Sequence, residues 1–161
     1  MSNMVKESRH FWGFALSEFS YFFVWAITYG FLTLWLEKVA HVTGSQAGII
    51  FSLMAGMSLI FQPIFGVVSD KLVFKKNLLI TIAVAAILTG PYFQWFFMPL
   101  FNISPILVSV VTGVFLAFIL NGGVSVIEQY VERASLANKF EYGHARMGGS
   151  VAGVIAAIVA G

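Results

Sequence analysis

The chain has 161 residues, with hydrophobic side chains at 59% of positions, charged ones at 10%, and no cysteine. Soluble domains carry roughly 25% charged residues, so this composition excludes a water-covered globular surface, and the missing cysteines exclude a disulfide framework or thiolate metal site. The formal net charge of +2 is a sum over loops and says little about nucleic acid, and no Arg/Lys stripe interleaved with aromatics appears.

The first long apolar run covers 11–36 and is broken only by Glu18. It exceeds the roughly 7–15-residue core of a signal peptide and lacks an A-x-A-like cleavage site, so it reads as a retained membrane helix. Glu18 lies ~10 Å along that helix at 1.5 Å per residue. An acid at that depth is a functional candidate by default. It either faces a cavity and shapes a site, or reaches back to the interface. A loop with Glu37, Lys38 and His41 follows, then Thr43-Gly44-Ser45, where Ser45 is placed to cap the next helix.

The second run covers 48–68, with Ala55, Gly56, Ser58 and Gly66 as small residues that permit close helix contact in lipid. It ends in Gly66-Val67-Val68-Ser69-Asp70-Lys71-Leu72-Val73-Phe74-Lys75-Lys76. An acid, a tight basic cluster and a new apolar run are the pattern of two membrane helices joined by a short loop. The third run covers 78–100. Gly90-Pro91 predicts a kink, and Trp95, Phe96 and Phe97 read as an interfacial aromatic belt. The fourth run covers 106–127 and is followed by a charged stretch, 128–146. The last apolar run, 147–161, is only ~22 Å long. A fifth helix is therefore expected to start near 140, inside the charged stretch, and the chain is expected to stop within it.

Alternating loops put Lys6, Arg9, Lys71, Lys75, Lys76, Arg133, Lys139 and Arg146 on one side of the bilayer and Lys38 alone on the other. The basic side is cytoplasmic. The chain is thus expected in the cytoplasmic (inner) membrane with its N-terminus inside. His10, His41 and His144 show no ligand spacing, and no metal site is expected. No nucleophile–base pair or phosphate loop is visible, so an enzyme is not expected and no residue is catalytic.

Two segments carry a family resemblance. One is Leu59-Ile60-Phe61-Gln62-Pro63-Ile64-Phe65-Gly66-Val67-Val68-Ser69-Asp70-Lys71-Leu72. The other is Phe140-Glu141-Tyr142-Gly143-His144-Ala145-Arg146. With Val126-Ile127-Glu128 and Phe11-Trp12, they resemble the lactose permease-like oligosaccharide:proton symporters of the major facilitator superfamily, along the whole chain. The resemblance implies an all-α membrane bundle of twelve helices in two halves. It implies inward movement of a disaccharide by alternating access, with a proton as coupling ion and no other cofactor. This chain would be most of the N-terminal half, about four and a half to five helices. Its partners would be the sugar, the lipid bilayer and the C-terminal half, with no nucleic acid. Alone it is not expected to transport.

The resemblance assigns sugar binding to Glu128 and Arg146. A sugar has no charge and must be held by hydrogen bonds, which a carboxylate accepts and a guanidinium donates. From spacing alone both also read as interfacial charges. Gly153 stands where the family's galactoside transporters carry a stacking tryptophan, which argues against a lactose-like galactoside. Trp25 and Phe22 on the first helix are alternative stacking residues, and equally read as lipid-facing or packing side chains. Gly66, Asp70 and Lys71 match the superfamily's gating loop. There Asp70 would pair with neighbouring bases as the halves rock. Val73 stands where that pattern usually has glycine, and the lysines also read as plain topology signals. The proton-binding residues belong to the half not present, so neither Glu18 nor Glu128 is assigned that role. Two other readings stay open: a facilitator for another small solute, and a non-transporting remnant that depends on a partner.

Overall fold

The computed structural model describes residues 2–71 and 77–160. Helix α1 spans Ser2–Lys38 and α2 spans Gly44–Lys71. Helix α3 covers Asn77–Ile103 and α4 covers Pro105–Asn138. Helix α5 covers Tyr142–Ala160. No strand occurs among the described residues. The reason is the solvent the composition demands. In lipid each backbone N–H and C=O must be satisfied inside its own segment, and a helix achieves that. Phe11–Lys38 of α1, and α2, α3 and α4 are each long and apolar enough to cross a membrane.

The helix ends follow local chemistry. After α1 the chain turns through His41 at φ 52°, and the Val42 N–H donates to the Leu36 carbonyl at 2.8 Å. Thr43, not Ser45, caps α2. The Gln46 N–H donates to the Thr43 hydroxyl at 3.4 Å, while the Thr43 N–H donates to Gln46 Oε1 at 3.0 Å. This reciprocal pair is a capping box, which needs Gln three residues after the cap. Thr43 has that partner; Ser45 is already within the first turn.

Two helices each carry a π-helical segment. Pro91 has no N–H to give to the preceding turn, and α3 has a turn at Leu88 before winding as a π-helix over Tyr92–Phe97. Helix α4 carries a second π segment, Ala117–Gly122.

The described helices group into two compact units, 1–31 with 127–161, and 32–126. In the second unit, α2 and α4 meet at glycines. A Cβ on Gly113 would lie 2.7 Å from Leu53 Cβ and 2.9 Å from the Ile50 carbonyl, and one on Gly122 would overlap the Phe65 ring. Asn121 Nδ2 donates to the Met54 carbonyl at 3.0 Å. The Tyr92 and Thr112 hydroxyls, 2.7 Å apart, tie α3 to α4. Phe61, Phe65 and Phe118 pack edge-on and stacked around this seam.

In the first unit, α1 lies against α5 with glycine between them. A Cβ on Gly148 would sit 2.6 Å from the Ala15 carbonyl oxygen, and one on Gly149 would sit 2.7 Å from the Phe22 ring. The buried side chains of α5 are small: Ala145, Ala152 and Ala156. Small residues let two backbones approach closely where lipid gives no hydrophobic drive. Phe14 stacks on Phe140 and leans on Tyr130, which closes the unit beside α4.

Candidate functional site

The first unit holds the residues of interest. Along α1, Ala15, Glu18, Phe22, Trp25 and Tyr29 recur at steps of three and four, so they share one face of the helix. That face meets α5, as the contacts of Ala15 and Phe22 with the glycine pair show. Glu18 lies between those two contacts. It is 0% exposed, and neither carboxyl oxygen has a hydrogen-bond partner among the described residues. The close approach of α5 encloses a side chain that would otherwise extend outward.

Glu128 on α4 and Arg146 in the first turns of α5 come together. Arg146 Nε donates to Glu128 Oε1 at 3.0 Å, and Nη2 donates to the same oxygen at 2.5 Å. The pair is partly open, with 28% of the Glu128 side chain and 53% of the Arg146 side chain exposed. Oε2 of Glu128 takes neither of these bonds, and a guanidinium has five N–H donors. The pair therefore keeps both acceptor and donor capacity toward a third group. Tyr142, one turn before Arg146, interacts with the same guanidinium. Glu18 lies within electrostatic reach of both Glu128 and Arg146.

Phe22 and Trp25 are both half-buried on the α1 face. Phe22 packs over Gly149, and its ring centroid is 6.3 Å from that of Trp25. Trp25 lies against Tyr29 at 4.6 Å, and its Nε1 is buried with no hydrogen-bond partner among the described residues. Gly153 is ordinary helix with open space around it: a Cβ there would meet nothing within 4 Å. Gly66, Asp70 and Lys71 lie at the end of α2, in the second unit, with Asp70 and Lys71 exposed. Val73, Lys75 and Lys76 lie outside the described residues. Among the described residues no three His, Cys, Asp or Glu side chains cluster to hold a metal ion.

Sequence reasoning passed over the glycine pair Gly148-Gly149 and the orphaned Gln129 Oε1. The glycines had a readable signal. Ala145, Gly149, Ala152 and Ala156 recur at helical spacing, a row of small residues of the kind that marks a helix contact. Gln129 had none, because its burial depends on what packs around α4.

Against this geometry, the model of a family described as LacY proton/sugar symporters matches residues 3–161. The chain belongs to that family. Raffinose permease of Escherichia coli is 38% identical over 160 residues, covering 99% of this chain and 38% of the permease. Lactose permease of Citrobacter freundii is 41% identical over 155 residues, covering 96% of this chain and 37% of its own length. Melibiose permease of Enterobacter cloacae is 40% identical over 144 residues, covering 89% of this chain and 34% of the permease. The chain thus spans between a third and two fifths of these relatives. This LacY-family chain is an all-α, multi-pass membrane protein, and its family is one of transporters rather than enzymes.

Proposed function

We propose that this chain forms the N-terminal, sugar-binding part of a symporter that carries a disaccharide inward across the cytoplasmic membrane by alternating access. The proton is the coupling ion, the N-terminus is cytoplasmic, and the opposing transporter half is its partner. The observation that carries the reading is the Arg146–Glu128 pair, a guanidinium with two N–H groups on one carboxylate oxygen. Opposite charges held together lower the cost of placing either in a membrane protein. The same groups bind hydroxyls with charge-assisted hydrogen bonds, roughly twice as strong as neutral ones. The names of the relatives support an uncharged sugar as ligand: raffinose, lactose, melibiose and sucrose. Half-buried Phe22 and Trp25 offer aromatic surface to a pyranose ring, while Gly153 offers none. Gly66, Asp70 and Lys71 at the end of α2 are the gating element.

The test is sugar binding to the protein purified at the length its native membrane holds. Calorimetry over a panel of disaccharides is expected to find a saturable ligand. Glu128→Ala and Arg146→Ala are each expected to weaken it by roughly thirty-fold, about 2 kcal/mol, with helicity and membrane insertion unchanged. Unchanged affinity in both variants would sink the site. Uptake into native vesicles is expected to collapse with a protonophore, and uptake that persists would remove the proton from the reading.

A further inference from the structure

A carboxyl buried away from water without a hydrogen-bond partner is costly, and such a group in a folded protein calls for an explanation. Glu18 is one: fully buried, with both oxygens unpartnered among the described residues. Its place is set by packing. Gly148 admits the Ala15 backbone and Gly149 admits the Phe22 ring, so the turn of α1 that carries Glu18 is drawn onto α5. Gly149 is three residues beyond Arg146, on the same side of α5. Glu18 accordingly interacts electrostatically with both Arg146 and Glu128.

Glu18 is not the sole orphan in this unit. Trp25 Nε1, a donor, and Gln129 Oε1, an acceptor, are also buried without partners among the described residues. Trp25 is two turns from Glu18 on the same face of α1, ~10 Å along the axis. A hydroxyl donates one hydrogen bond and accepts others, so hydroxyls satisfy the orphan acceptors and the orphan donor alike. An apolar solute satisfies neither kind. An anionic solute would face two carboxylates.

We infer that Glu18 is a third polar contact of the sugar site, accepting hydrogen bonds from hydroxyls of the ring that Glu128 and Arg146 hold, while Trp25 Nε1 donates to a second, linked ring. The inference rests on the sugar reading given above and narrows it. The ligand must be long enough to reach both turns of α1, which selects two linked pyranoses over one. Glu18 is then a specificity residue for the hydroxyl pattern of the first ring.

The experiment pairs protein and ligand changes. Wild type, Glu18→Ala and Glu18→Gln are purified at native length and titrated with the preferred disaccharide and with its singly deoxygenated analogues. Glu18→Ala is expected to weaken the parent sugar at least tenfold. One deoxy analogue is expected to bind wild type about tenfold worse than the parent, yet bind Glu18→Ala as well as the parent does. A merely structural Glu18 would not produce that vanishing penalty. Should Glu18→Ala fail to insert, Glu18→Gln carries the same comparison, with a reduced penalty expected at the same hydroxyl. If every analogue loses the same factor on wild type and variant, the contact is overturned. If the variants bind the parent sugar within twofold of wild type, the contact is also overturned while the sugar reading stands. If wild type binds no sugar at all, the sugar reading falls and takes this inference with it.

Discussion

Arg146 presents a planar fork, and two of its N–H groups meet one oxygen of Glu128. Lysine keeps the charge but has a single compact ammonium, so it cannot reproduce the fork. Arg146→Lys is therefore expected to weaken sugar binding roughly tenfold, about 1.4 kcal/mol, with helicity unchanged by circular dichroism. Wild-type affinity in that variant would mean the charge alone suffices. The partnership itself was not readable from spacing. The two residues are 18 apart on different helices, and neither sits at a period that fixes its face. Only the family resemblance of the segment ending at Arg146 set them side by side. Glu18 divides the same way. Its depth in an apolar run was legible, because charge stands out there. Its complete burial was not, because that follows from α5 closing over it at Gly148 and Gly149.

At the scale of helices, glycine contacts separate packing from simple hydropathy. A Cβ at position 148 would press on the Ala15 carbonyl oxygen, a backbone atom that no rotamer change can move. Overfilling such a contact typically costs ~1–3 kcal/mol. Gly148→Ala should lower the melting temperature of the purified protein in detergent. Gly153→Ala, which meets nothing within 4 Å, should leave it unchanged or raise it. Equal effects would mean that α1 and α5 do not meet at Gly148. The capping box makes a parallel case. Thr43→Ala removes the side-chain acceptor for the Gln46 N–H and should cost ~1 kcal/mol. Ser45→Ala should cost little; a melting series that ranks Ser45→Ala as the worse change would move the cap. The all-α class was legible from composition, since long uncharged runs leave the backbone no other way to satisfy itself in lipid. The π segments at Tyr92–Phe97 and Ala117–Gly122 were not. Hydropathy and composition do not separate i→i+4 from i→i+5 bonding.

For the whole molecule, orientation decides which end of the Glu128–Arg146 site faces the cell interior. The basic residues argue for a cytoplasmic N-terminus, because Lys and Arg near the ends of spans are retained on that side. These 161 residues contain no cysteine, so each introduced cysteine is the single thiol of this segment. Ser45 at the start of α2 and Ala137 near the end of α4 are both exposed and uncharged, so replacing them leaves the charge pattern intact. In intact cells, a membrane-impermeant maleimide is expected to label Ser45→Cys and to spare Ala137→Cys until the membrane is permeabilised. The opposite pattern would invert every span. It would place the α4–α5 connection outside, and the proposed site would then meet its sugar from the other face. Labelling of both sites in intact cells would mean that an odd number of crossings does not separate them. That outcome would remove α2, α3 or α4 from the set of spans, even though each is long and apolar enough to cross.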